Sequence, residues 1–158
     1  MPILALAIGA AIIIVDQLIK FFVSTGLKPI GTISVIDGIF NLTYVENRGV
    51  AFGMFRDMRW LFVVLTSILL FVIIFYMFKK RPQGKLFYIC AGMIIGGGVG
   101  NLIDRVFYGY VIDYLSISFF PPVCNFADYC ITIGVAILAV YILFFSDIFK
   151  EKKVQNND

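Results

Sequence analysis

Three stretches of the chain stay free of charge for long enough to cross a lipid bilayer, and no other feature limits the fold as much. Trp60–Phe78 is nineteen residues without a charge, and Leu86–Ile103 and Tyr129–Ser146 are eighteen each. At about 1.5 Å of rise per residue, such helices match a hydrocarbon core of roughly 30 Å. A fourth run, Met1–Val15, continues past Asp16 and Lys20 through Phe21, Phe22 and Val23. It has no basic n-region and no small-x-small cleavage site after it, so it reads as a retained span rather than a removed signal peptide. Hydrophobic residues make up 61% of the 158 and charged residues 15%. A soluble domain of this size cannot hide so much apolar surface. The expectation is a mainly α membrane protein of four transmembrane helices, at about 3–23, 60–78, 86–105 and 125–146. They form one domain over residues 1–150, followed by a cytoplasmic tail, 151–158.

Short basic loops set the orientation. "KKRPQGK" (Lys79–Lys85) carries four positive charges in seven residues, and "KEKK" (Lys150–Lys153) follows the last span. With four spans both lie on one side, which places them and both termini in the cytoplasm. The segments Ser24–Arg59 and Val106–Val123 then face outward, although Lys28, Arg48, Arg56 and Arg59 make the charge bias incomplete. The first outer segment, "GTISVIDGIFNLTYVENRGVAFGMF", is rich in Ile, Val, Thr, Phe and Tyr and punctuated by Gly and Asn. It reads as two or three short strands with turns near Asp37-Gly38 and Asn47-Arg48-Gly49. An open sheet edge cannot sit in lipid, so a small extracytoplasmic β-sheet between helices one and two is expected at the membrane surface.

The chain has no histidine. That removes the usual general base and the commonest metal ligand together, along with the Ser-His-Asp and Cys-His routes. Three cysteines, Cys90, Cys124 and Cys130, show no CxxC spacing and read as packing residues. No metal or other cofactor is expected, and a net charge of +3 gives no reason to expect nucleic acid.

Ionisable residues inside apolar spans are costly and so invite a functional reading. "VDQLIK" puts Asp16 and Lys20 four apart on one helix face, in the favourable order for an ion pair. That pair could equally stabilise the helix end while Lys20 snorkels to the interface. In "GMIIGGGVGNLIDR", Gly92, Gly96 and Gly100 recur every fourth residue and make a face for close helix approach. The G-x-G-x-x-G nucleotide pattern fails because position 103 is Ile103 and no strand precedes it. Asn101, Asp104 and Arg105 follow on one face, either as a charge group at the membrane interface or as a scaffold that orients another acid. Span four opens at "CNFAD", where Asn125 and Asp128 share a face and suit the helix N-terminus. Asp113 lies fifteen residues earlier, in a short reentrant or loop segment ending at Pro121-Pro122. So short a connection brings Asp113 and Asp128 to one depth on one side. Two partly dehydrated carboxylates cannot both ionise cheaply, so one keeps its proton. That suits an aspartic peptidase pair, which needs neither histidine nor metal. It suits a proton or ion pathway almost as well.

"DQLIK" (Asp16–Lys20), "ENRGVAF" (Glu46–Phe52), "GNLIDR" (Gly100–Arg105), "VIDY" (Val111–Tyr114) and "NFAD" (Asn125–Asp128) occur in this order on four spans. In that arrangement the chain resembles the lipoprotein signal peptidases, the bacterial signal peptidase II family. The resemblance implies an integral membrane aspartic endopeptidase. Such an enzyme removes signal peptides from diacylglyceryl-modified prolipoproteins, cutting before the lipidated cysteine. Carried over by motif, Asp113 and Asp128 are the catalytic acids. Asp16, Lys20, Asn47, Gly49, Asn101, Asp104, Arg105 and Asn125 are the supporting or substrate-binding set. The resemblance also implies a β-rich outer cradle, an active site near the outer leaflet of a bacterial cell membrane, membrane lipid and prolipoproteins as partners, and no required oligomer. Cys124 stands where the family more often has an aromatic or aliphatic residue. The alternative class is a small proton- or ion-conducting membrane protein using the same paired acids.

Overall fold

The computed structural model describes residues 1–49 and 58–145. Each long apolar run is a helix of membrane-spanning length. Helix α1 covers Pro2–Phe22, α2 Arg59–Lys80, α3 Lys85–Phe107 and α4 Phe126–Phe145. All four are long and apolar enough to span a bilayer, and the protein is a multi-pass membrane protein. Val50, Ala51 and Phe52 of the "ENRGVAF" motif, Arg56, Ser146, the "KEKK" cluster and the tail 151–158 lie outside the described residues. Helix α1 runs on through one π-helical turn, Val23–Leu27, in which the Thr25 hydroxyl donates to the carbonyls of Phe21 and Phe22.

Helix α3 is the hub, packing on α1, α2 and α4. Its glycines make this possible. A Cβ on Gly92 would lie 2.7 Å from the Ala5 carbonyl, and one on Gly96 2.8 Å from the Gly9 carbonyl. Their bare faces therefore seat α1 backbone to backbone. Gly97 points the other way, where a Cβ would come 2.5 Å from the Ala127 carbonyl of α4. Association in lipid has no hydrophobic drive between helices, and contact depends on such close packing. The outward faces stay apolar: Val64, Leu65, Ile68, Phe71 and Phe75 of α2 are exposed, as lipid contact requires.

The four strands form one antiparallel sheet in sequential order: β1 Thr32–Ile36, β2 Phe40–Asn47, β3 Val111–Ile117 and β4 Phe120–Cys124. Two strands come from the α1–α2 connection, as the sequence indicates. The other two come from the α3–α4 connection, where the expectation was a loop or reentrant segment. The sheet is therefore not confined to the segment between helices one and two. "VIDYLSI" pairs across β2, a partner more than sixty residues away, and local pattern carries no record of such pairing. Pro121 and Pro122 fit because β4 is an edge strand, where a missing N–H costs no ladder bond. The sheet closes the end of the bundle where α1 and α3 finish and α2 and α4 begin. "KKRPQGK" lies at the opposite end.

Candidate active site

Span residues and sheet residues converge under the sheet. Asp16, Lys20, Asn101, Asp104, Asp113 and Asn125 are all buried, and Asp128 is half-buried. Every buried side-chain nitrogen or oxygen among the described residues has a hydrogen-bond partner, as a polar cluster in a low-dielectric interior requires.

Lys20 anchors the set. Its Nζ lies 2.8 Å from Asp16, 2.9 Å from Asp104, and donates to Asn101 Oδ1 at 2.9 Å. It is 2% exposed, so the snorkelling arrangement does not occur. Asp104 is likewise no interface charge: it accepts from the backbone N–H of Ile112 at 3.1 Å, next to Asp113. It thereby fastens the start of β3 to the end of α3. Asp16 reaches across from α1 to accept the N–H of Ala127 in the first turn of α4, at 3.3 Å.

Asn101 and Asn125 distribute the hydrogen bonds from there. Asn101 Oδ1 takes Lys20 and the Asn125 amide, which leaves its own Nδ2 to donate to Asp128 Oδ1 at 2.8 Å. Asn125 caps α4 reciprocally. Its Oδ1 accepts the Asp128 N–H at 2.9 Å, and its own N–H donates to Asp128 Oδ2 at 3.1 Å. This is a capping box with Asp in the third position. The amide that caps α4 also uses Nδ2 to donate to Asp113 Oδ1 at 2.6 Å. One residue thus contacts both carboxyl groups, Asp113 through its side chain and Asp128 through its backbone N–H.

Asp113 is held from its other side by register. Val45 stands opposite it across the β2–β3 pair, and Asn47 lies two residues on, along the same face. Asn47 Nδ2 donates to Asp113 Oδ2 at 2.8 Å, while its Oδ1 accepts the Gly49 N–H at 3.0 Å. Gly49 therefore fixes which end of the Asn47 amide faces the acid. Burial, and after it the charge of Asp128, pushes the Asp113 carboxyl up to about 7. Asp113 holds a proton where an ordinary aspartate has none. Burial and the two nearby acids also push the Cys124 thiol up to about 11, so Cys124 stays a neutral thiol beside the site. All three cysteines are free.

All ten sequence-derived residues are hydrogen-bonded into this set. Arg105 sits at its edge, donating to the Asn101 carbonyl at 3.5 Å and stacking over the Phe62 ring at 5.4 Å. Two further residues belong to the site. Gln17 Nε2 donates to Asp104 at 3.1 Å, to the Gly100 carbonyl at 3.2 Å and to Asp16 at 3.3 Å. Tyr114 accepts the Phe126 N–H at 3.2 Å. Gln17 stands between Asp16 and Lys20 in the quoted motif, and that neighbourhood was its only signal. Tyr114 closes the "VIDY" motif beside Asp113, and that place was likewise its only signal.

The family model described as Signal peptidase (SPase) II matches residues 8–144. The chain belongs to the signal peptidase II family. It is 43% identical over 141 residues to the lipoprotein signal peptidase of Caldanaerobacter subterraneus subsp. tengcongensis, covering 89% of this chain and 97% of that one. It is 41% identical over 151 residues to the lipoprotein signal peptidase of Clostridium acetobutylicum, covering 93% and 96%. Two solved bacterial membrane enzymes share the fold. One has a TM-score of 0.81 at 26% identity over 98% of this chain and 92% of that one; the other has 0.79 at 29% over 90% and 94%. The chain is therefore a membrane peptidase that removes signal peptides from prolipoproteins.

Proposed function

We propose that Asp113 and Asp128 are the catalytic pair, and that they hydrolyse the peptide bond before a diacylglyceryl-modified cysteine of a prolipoprotein. The observation that carries this is Asn125, whose amide and backbone N–H reach a carboxylate oxygen of each acid at 2.6 and 3.1 Å. In this reading the half-buried Asp128 is the ionised base. It takes a proton from water, and the oxygen attacks the scissile carbonyl carbon. Protonated Asp113 donates its proton to the carbonyl oxygen, giving a gem-diol with no covalent bond to the enzyme. The intermediate collapses as a proton passes to the amide nitrogen and the C–N bond breaks. The amides of Asn47 and Asn125 hold the geometry of Asp113 and favour its ionised form, against the larger opposing effect of burial.

Supporting this reading, the site opens under the sheet, at the bundle end away from the basic turn Lys79–Lys85. The positive-inside rule puts that turn in the cytoplasm and the site beside the outer leaflet. A lipid-modified peptide reaches it laterally, acyl chains against the exposed apolar helices and backbone beneath the sheet.

The test uses purified protein in neutral detergent with a lipidated prolipoprotein and its unlipidated counterpart, read by gel shift. Cleavage is expected for the lipidated form alone. Asp113→Asn and Asp128→Asn should each lose at least about a hundredfold, the usual worth of a positioned acid or base. Normal cleavage by either variant, or ion flux through vesicles with no peptide product, would overturn the assignment.

A further inference from the structure

Beyond the peptidase site, a second cavity lies at the same end of the bundle. It measures about 420 Å³ and is lined by Arg48, Arg59, Trp60, Tyr108 and Gly109. Among the described residues, none that lines it is acidic. We infer that this cavity binds the phosphate of an anionic glycerophospholipid.

Two guanidinium groups line the cavity, and each is held in place. Arg59 stacks on the Trp60 ring at 4.8 Å. Gly109 sits on its other side, where a Cβ would come 3.0 Å from Nη1. Gly109 adopts φ +84°, which other residues rarely take, so the turn and the guanidinium seat depend on the same residue. No carboxylate pairs with Arg59 among the described residues. Arg48 stacks on Tyr110 at 5.8 Å and keeps a loose contact with Glu46 at 3.7 Å. Glu46 is already paired more closely with Lys28, at 3.0 Å. Two oriented guanidiniums, one with no carboxylate partner among the described residues and the other only loosely paired, suit a phosphate, whose oxygens accept from both.

The surroundings favour a lipid as the source of that phosphate. Trp60 and Tyr108 are exposed, and such rings settle at headgroup depth. The exposed apolar side of α2 begins immediately after them, with Leu61, Val64, Leu65 and Ile68. A phosphate seated between the arginines would send its acyl chains down that face. A zwitterionic headgroup fits less well, because its ammonium finds no carboxylate among the described lining residues.

Trp60 is the single tryptophan of the chain, so its fluorescence reports this cavity alone. The full-length protein in neutral-detergent micelles is titrated with brominated phosphatidylglycerol or brominated phosphatidylcholine, and quenching is followed. Phosphatidylglycerol should reach half-quenching at about tenfold lower mole fraction, the order expected for two arginines at a lipid surface. Arg59→Gln and Arg48→Gln should each cut that preference, and the double variant should abolish it. Lys79→Gln, at the far end, should leave it intact. Helicity by circular dichroism checks folding, and if one arginine variant fails that check the other still decides. Equal quenching by the two lipids in the native protein, or a preference surviving the double substitution, would overturn the site. Millimolar inorganic phosphate erasing the preference would overturn the lipid as its ligand.

Discussion

Replacing Asp113 by Asn should change the protein's stability in opposite directions at low and high pH. The Asp113 carboxyl stands at about 7 in the folded protein against an ordinary 3.8. A carboxyl raised in the folded state makes that state bind the extra proton, so stability falls as pH rises from the unfolded value to the folded one and is flat above it. Three units correspond to roughly 4 kcal/mol, an order-of-magnitude ceiling on what ionising this buried group costs. Asn carries no such penalty. It has its own defect, because Asn47 and Asn125 both donate to Asp113, at 2.8 and 2.6 Å. An amide presents one acceptor oxygen and one NH₂, so one donor is left facing another, at about 1–3 kcal/mol. A protonated carboxyl escapes this, since its hydroxyl oxygen still accepts. Near about pH 4 the variant therefore loses by about 1–3 kcal/mol, and near about pH 8 it gains by a similar amount. Thermal unfolding of both proteins in the same neutral detergent, at both pH values, reads the difference directly. A variant less stable than the native protein by the same margin at both values would refute the claim that Asp113 is buried with a raised proton affinity.

Cleavage should decline as pH rises through about 7, because the general acid loses its proton there; the limb belongs to the coupled pair. Asn47→Leu removes a donor that favours ionised Asp113, so a pH–rate profile of that variant should show the alkaline limb moved upward. Lys20→Met strands Asp16 and Asp104, both fully buried, without their cation. Thermal unfolding should register a loss of about 3–5 kcal/mol. Gly97→Ala forces α3 from α4 at the Ala127 carbonyl, one residue before Asp128. It should cost about 1–3 kcal/mol by overpacking. It should also lower kcat by up to about a hundredfold through misplacement of the acid, with unfolding and turnover measured on one preparation.

The spans were legible because the bilayer imposes its thickness on the chain: a run of eighteen uncharged residues has few other places to go. Histidine's absence and the two acids of "VIDY" and "NFAD" narrowed the chemistry for the same local reason, that residue types limit the available bases. The Asn125–Asp128 cap was legible too, since both partners lie within one turn. Tertiary structure alone decided the rest. The strand at Val111–Ile117 exists because β2 offers a pairing edge, and its register, not its composition, sets Asn47 against Asp113. Lys20 could have snorkelled or been buried on sequence grounds; Asp104 and Asn101, brought in by the glycine-seated approach of α3, supply the partners that bury it. Gln17 became visible only with that approach. Spacing along a helix or strand records which residues share a face. It records nothing of which distant face they meet, because the contact energy that selects the partner is spent between segments some eighty residues apart.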